Sequence, residues 1–423
     1  MSNPHEAAMP AQASTTPKYA WTILAVVFFL SIVIPMQWFS CPPLKMNIFA
    51  TYGLEGAARA SFGLLMSYLS TTALVAAIVA GPLANKIGHK IVLIIASICL
   101  IGGCATAALS GSDFNMLLAS RIITGAGVGL AAVTASAVIA IWFPGKTRAT
   151  AMAIWSTWVP VGMLIVYNVG PVIANAGGLH MVWWVICALA VIALILIIVL
   201  YRAPREDEAE ISVKKSTLRE ALPFLKSRQL VALGIAWLGF NYVNYCFTTY
   251  NVDFFQTGMG MDQTMAALIG SVASACGIIA PLFGAISDRI NKDRKYLMIV
   301  LGCLALLLAA LFGFENSTLF FWVYLIFQIL GNAILVATCR PMAPMLVGRG
   351  GATAVTYALA VITILQYLGQ MFVFLCGSAI DAFGFTSMAA WTAIAPVAAV
   401  CLVASFFIKP SAKPGKDEKP AAK

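Results

Sequence analysis

Apolar runs of roughly twenty residues recur along nearly the whole chain, each long enough to cross a hydrocarbon layer of about 30 Å as a helix. Twelve such runs occupy residues 20–43, 61–83, 91–110, 114–142, 150–174, 181–201, 230–255, 264–287, 296–314, 317–343, 353–378 and 386–408. Runs of this length without alternation of apolar and polar positions are unlike the strands of a membrane barrel. Only 10% of the 423 residues are charged, against about 25% in soluble domains. The predicted fold class is therefore an all-α polytopic membrane protein with twelve transmembrane helices. Residues 1–19 are polar and lack a basic region followed by a short apolar core and a small-residue cleavage site, so the first span is expected to stay in the mature chain.

The formal net charge is +10. If the spans alternate from a cytoplasmic N-terminus, every Lys and Arg except Lys45, Arg59, Arg121 and Arg340 falls on the cytoplasmic side. That asymmetry is the positive-inside pattern, and it predicts a multi-pass protein of the inner (plasma) membrane with both termini cytoplasmic. The basic residues then read as contacts with membrane lipid. The aromatic and basic interleaving that single-stranded nucleic acids require is missing, so no nucleic-acid partner is expected. Ten cysteines are scattered singly and the three histidines, at 5, 89 and 180, have no ligand spacing, so neither metal nor cofactor is expected. No phosphate-cradling G-x-x-x-x-G-K-[ST] loop occurs, and no Ser/Lys or paired-Asp set lies at mid-membrane, which argues against ATP-driven transport and against an enzyme.

The charged stretch "YRAPREDEAEISVKKSTLREALPFLKSRQ" at 201–229 divides the spans six and six. The predicted organisation is an N-terminal tail 1–19, a six-helix bundle 20–201, a cytoplasmic loop 202–229, a second bundle 230–408 and a basic tail 409–423. The halves repeat one another: "GPLANKIGHKIVLI" at 81–94 corresponds to "GAISDRINKDRKYLMI" at 284–299, with Gly81 over Gly284, Asn85 over Asp288 and Lys86 over Arg289. A half-protein repeat marks many secondary transporters, whose substrate site lies where the repeats meet.

These turns, the "R-x-x-x-G-x-G-x-G" of Arg121, Gly125, Gly127 and Gly129, and "WFPGKTRATAMAIW" at 142–155 resemble the major facilitator superfamily over residues 20–408. The resemblance implies two pseudo-symmetric six-helix halves working by alternating access, with the first, fourth, seventh and tenth helices lining a central cavity. It assigns a gating role to Gly81, Asn85, Lys86, Gly284, Asp288 and Arg289, although Asn85 stands where the family has Asp.

Polar and aromatic residues cluster in those spans. Gln37 and Trp38 follow Pro35, the fifth span holds Trp155, and the seventh places Trp237, Asn241, Asn244 or Tyr245, and Thr248 along one helical face. The eleventh carries Thr363, Gln366, Tyr367 and Gln370. Each alone is consistent with ordinary interhelical packing; together they describe an aromatic, hydrogen-bonding cavity.

Arg121 lies roughly 12 Å into the fourth span at 1.5 Å per residue, where a cation must face protein or water. It has two readings, a structural or coupling role and direct substrate contact. Arg340 sits in the inner third of the tenth span, and its repeat-mate is Ala137. It either snorkels to the inner headgroups or faces the cavity. No acidic residue lies centrally; Asp253 and Asp381 fall near outer ends. Two membrane arginines without buried carboxylates favour an anionic ligand suited to the guanidinium fork. The predicted function is a monomeric secondary active or exchange transporter for a small organic anion, a carboxylate. Its substrate-binding residues are expected to be Arg121, Arg340, Gln37, Trp38, Trp155, Asn241, Tyr245 and Gln366. The alternative is a drug or hydrophobic-compound proton antiporter, disfavoured because Gly162 and "GPVIANAGG" at 170–178 depart from the compact glycine spacing of that group's fifth span.

Overall fold

The computed structural model describes residues 17–54, 58–143, 145–202, 228–274, 279–290, 295–347 and 351–408. The expected terminal tails and central loop fall almost entirely outside these residues, as does the side chain of Asp288.

The first half comprises α1 (Lys18–Trp38), α2 (Lys45–Tyr52), α3 (Arg59–Ile87), α4 (His89–Ala108), α5 (Phe114–Trp142), α6 (Gly145–Ser156), α7 (Trp158–Gly177) and α8 (Leu179–Leu200). The second comprises α9 (Arg228–Asp253), α10 (Gln263–Ser274), α11 (Ala280–Arg289), α12 (Tyr296–Leu311), α13 (Thr318–Val347), α14 (Gly351–Gln370), α15 (Phe374–Phe383), α16 (Ser387–Ala393) and α17 (Ala395–Phe406). Among the described residues, each apolar run predicted to span the membrane lies mostly on one of these helices or on a consecutive pair.

Several spans are interrupted. The last bends by 48° between α16 and α17, where Pro396 near the start of α17 cannot continue the preceding ladder. The eleventh breaks between α14 and α15 without a proline. The first ends as a helix at Trp38, earlier than the hydropathy predicts, because a turn at Pro42–Leu44 intervenes. That turn launches α2, whose Ile48 and Tyr52 are buried and which lies between the first two predicted spans.

Helix α2 and the start of α3 mark one end of the bundle, the α2 face; Lys18, Ile87, Leu200 and Arg228 mark the opposite end. The halves meet toward the α2 face, with α3 against α14 and α15, α7 against α10, and α9 against the Pro42–Leu44 turn. Two glycines make the approach possible. A Cβ at Gly63 of α3 would stand 2.7 Å from the Phe374 Cα, and one at Gly377 of α15 would stand 2.7 Å from the Arg59 carbonyl carbon. Toward the opposite end, a Cβ at Gly81 or Gly284 would meet nothing within 4 Å. The repeat glycines are therefore not pressed against a neighbour in this conformation, while those at the α2 face are.

Candidate functional site

The site begins where α1 stops. The last-turn carbonyls of a helix have no partner within it and attract cations. Arg121 of α5 supplies one, donating from Nη1 to the Gln37 carbonyl at 3.0 Å and from Nη2 to the Trp38 carbonyl at 2.7 Å. Its side chain is only 1% exposed. Gln37 in turn donates from Nε2 to Thr124 Oγ1 at 2.7 Å and to the Leu100 carbonyl at 3.2 Å. Both residues are thus committed to joining α1, α4 and α5.

Trp38, held at the end of α1, reaches across to the second half. Its Nε1 donates to the Tyr245 hydroxyl on α9 at 2.6 Å, and Ser70 of α3 donates to the same oxygen at 3.3 Å. The indole stacks on Phe39 with centroids 5.1 Å apart and on Tyr367 of α14 at 5.8 Å. Offset stacking and a satisfied indole N–H are the favourable geometry for such a cluster. Trp38, Tyr245 and Tyr367 therefore tie three helices into one aromatic floor.

Arg340 of α13 lies near this floor. Its Nη2 donates to Gln366 Oε1 at 2.8 Å, one residue from the Tyr367 ring, and its guanidinium is 5.8 Å from the centre of the Trp237 ring on α9. The side chain is exposed, yet it points toward α9 and α14. Two arginines thus flank the aromatic cluster, Arg121 sealed and Arg340 accessible. Among the described residues both ion pairs use Asp253, and neither of these arginines takes part in one.

Of the other expected site residues, Trp155 and the turn residues lie apart from this group, while Asn241 sits beside Trp237 on α9. Trp155 packs inside the first half, donating from Nε1 to Ser31 Oγ at 2.9 Å and stacking on Trp158. Asn241 bonds to the Trp237 carbonyl one turn back at 2.7 Å and lies 3.5 Å from Gln370 Nε2. Asn85, Lys86 and Arg289 are exposed at the ends of α3 and α11. Among the described residues no group of His, Cys, Asp or Glu is placed to hold a metal.

A second cluster was not anticipated. At the α2 face Lys45 Nζ lies 2.5 Å from Asp253 Oδ1, and Arg59 Nε lies 2.8 Å from Asp253 Oδ2. The backbone N–H groups of Arg59 and Ala60 donate to the two Asp381 oxygens at 3.0 and 2.8 Å, and the Tyr250 hydroxyl donates to the Arg59 carbonyl at 3.0 Å. In the sequence these were simply charges at span ends. Their opposite signs on opposite halves were the available clue.

A family model described as Major Facilitator Superfamily matches residues 22–357. The chain is 34% identical over 136 residues to the nitrate/nitrite transporter NrtP of Picosynechococcus, covering 31% of this chain and 23% of that protein. It is 22% identical over 313 residues to the 4-hydroxybenzoate transporter PcaK of Acinetobacter baylyi, covering 66% of this chain and 67% of that protein. It is 27% identical over 271 residues to the 3-(3-hydroxy-phenyl)propionate transporter of Escherichia coli, covering 62% and 64%. The chain thus spans from 23% to 67% of the length of these curated relatives. A bacterial homolog of the human lysosomal transporter Spinster, solved in an inward-facing and unoccupied conformation, superposes with a TM-score of 0.70 at 17% identity over 93% of this chain and 95% of that one. That likeness speaks to the fold alone.

Proposed function

Since the chain belongs to the Major Facilitator Superfamily, a family of transporters, we propose that it carries a small organic anion, a carboxylate, by alternating access. The observation that carries this reading is Arg340, an accessible cation held by a neutral amide and an indole and, among the described residues, in no ion pair. A guanidinium in that setting keeps donors free for a bidentate carboxylate. The Trp38, Tyr245 and Tyr367 rings supply an apolar floor for the remainder of the ligand. Relatives named for hydroxybenzoate and hydroxyphenylpropionate, both aromatic carboxylates, agree with that pairing of charge and ring.

Arg121 fills a different role in this reading. Its two terminal nitrogens are spent on α1 carbonyls, so it holds Trp38 in place and leaves the ligand to Arg340. The α2 face is taken as the outer side and both termini as cytoplasmic, on the strength of the Lys and Arg distribution. The conformation is then closed to the outside, and Arg340 is reached from within. The turns at Asn85–Lys86 and Asp288–Arg289 engage in the opposite conformation. Coupling is by exchange or by an ion gradient.

The test is a thermal-shift and equilibrium-binding screen of purified protein against benzoate, hydroxybenzoates, sugars and lipophilic cations, since a ligand of the folded state raises apparent stability. A carboxylate is expected to bind, and Arg340→Gln to weaken it roughly ten- to hundredfold, the value of a charge-assisted contact of about 1.5–3 kcal/mol. Arg340→Lys should recover only part of that loss, because an ammonium lacks the fork. Undiminished binding to folded Arg340→Gln would refute the assignment.

A further inference from the structure

The charged cluster at the α2 face plays no part in the site just proposed, yet it is built like one. Lys45 is 3% exposed and Asp253 1%. Burying these charges is tolerable only because each has a well-placed partner. Apart from the Thr257 hydroxyl, 3.2 Å from Asp253 Oδ1 within the second half, the groups that receive the carboxylates belong to the first half: Lys45 Nζ, Arg59 Nε and the two amides at the start of α3. Both carboxylates, Asp253 and Asp381, belong to the second. Lys45 is positioned by its own half, lying 4.2 Å over the ring of Phe49, one turn away on α2, whereas the Arg59 guanidinium lies 4.7 Å over the ring of Phe385 in the second half.

Alternating access must separate these partners. The first half then presents two cations, Lys45 held by Phe49 and Arg59 released from Phe385, and the second half withdraws the acids that had neutralised them. We propose that Lys45 and Arg59 form a peripheral carboxylate site, plugged by Asp253 in this conformation, which in the opposite conformation binds the carboxylate of the transported anion on its way to or from Arg340. The inference rests on the anion reading of the central site. It has a mechanical consequence: an anion that takes the place of Asp253 binds only the open arrangement, and so stabilises it.

Benzoate is the probe, with the protein in phosphatidylcholine nanodiscs so that no anionic lipid competes. Asp253→Asn removes the plug and Arg340→Gln the central site. The double variant D253N/R340Q should bind one benzoate, and adding Lys45→Gln should weaken that binding roughly ten- to hundredfold. Absence of benzoate from D253N/R340Q overturns the peripheral site, whatever happens at the centre. Binding to D253N but not to D253N/R340Q would leave the central reading standing alone; binding to R340Q and wild type with equal strength would remove the central reading while the double variant still decides this one. Where Asp253→Asn does not fold, R340Q with Asp253 in place serves instead. Saturating benzoate should then speed maleimide labelling of Cys41, which is fully buried next to the Pro42–Leu44 turn. An unchanged labelling rate overturns the proposal.

Discussion

A single methyl group at Gly377 asks whether closure at the α2 face depends on backbone contact. The glycine lies on α15, and a Cβ built there would collide with the Arg59 carbonyl oxygen and the Tyr250 hydroxyl and stand 2.7 Å from the Arg59 carbonyl carbon. Arg59 is anchored by its own ion pair and by the Asp381 bonds, so neither neighbour can yield freely. Overpacking of this kind costs about 1–3 kcal/mol. In Gly377→Ala the clash with Arg59 falls on the closed arrangement alone, because the two halves part when the face opens, and Tyr250, on the same half as Gly377, is then released from the Arg59 carbonyl and can turn aside. The closed-to-open ratio should drop roughly 5- to 150-fold at about 1.4 kcal/mol per tenfold. The readout is maleimide modification of the buried Cys41, followed by peptide mass in purified protein, with the rate expected to rise in proportion. Gly81→Ala is the control, since nothing stands within 4 Å of a Cβ there. If folded Gly377→Ala labels Cys41 at the wild-type rate, the α2 face is not held shut by this contact and the reasoning fails.

Three further outcomes are expected. Arg121→Lys should lower the apparent melting temperature, because an ammonium cannot bridge both α1 carbonyls; an unchanged melting temperature with lost ligand binding would instead place Arg121 at the substrate. Trp38→Phe keeps the stack on Tyr367 but loses the bond to Tyr245, and about 0.5–1.5 kcal/mol predicts Cys41 labelling roughly two- to twelvefold faster. Its double variant with Tyr245→Phe should be non-additive, and strict additivity would dissolve the pairing. Arg289→Gln should favour the present conformation and slow Cys41 labelling, whereas an unaltered rate would reduce the Asp288–Arg289 turn to a headgroup anchor.

The helices were legible because hydrocarbon imposes a length and a composition that a linear sequence cannot hide. Breaks were legible only where chemistry marks them. Pro396 announces the bend before α17, while the interruption after Gln370 has no residue that demands it and follows from the packing of α15 on α3. At the site, Trp38, Tyr245, Arg340 and Gln366 were found because polar groups in apolar spans are conspicuous. Trp237 and Tyr367 carry the same signal, but their place in the site was not legible, since stacking partners on different helices share no sequence spacing. Trp155 has the same composition signal and turns toward Ser31 in its own half. The Lys45–Asp253 pair was hidden by a sequence separation of 208, a distance over which charge pattern alone assigns a side of the membrane and not a partner.

Helix α3 starts at Arg59 with Ala58 in its cap position and no capping side chain of its own. The oxygens that receive its first amides come from Asp381, on the other half of the molecule. A cap of this kind stabilises a helix start by about 0.5–2 kcal/mol. Each time the halves part, the leading turn of a 29-residue helix loses its cap and is free to fray. Deuterium uptake at the amides of Arg59 and Ala60 should therefore count the time spent open, so that one loosened helical turn keeps a record of every excursion of the whole bundle.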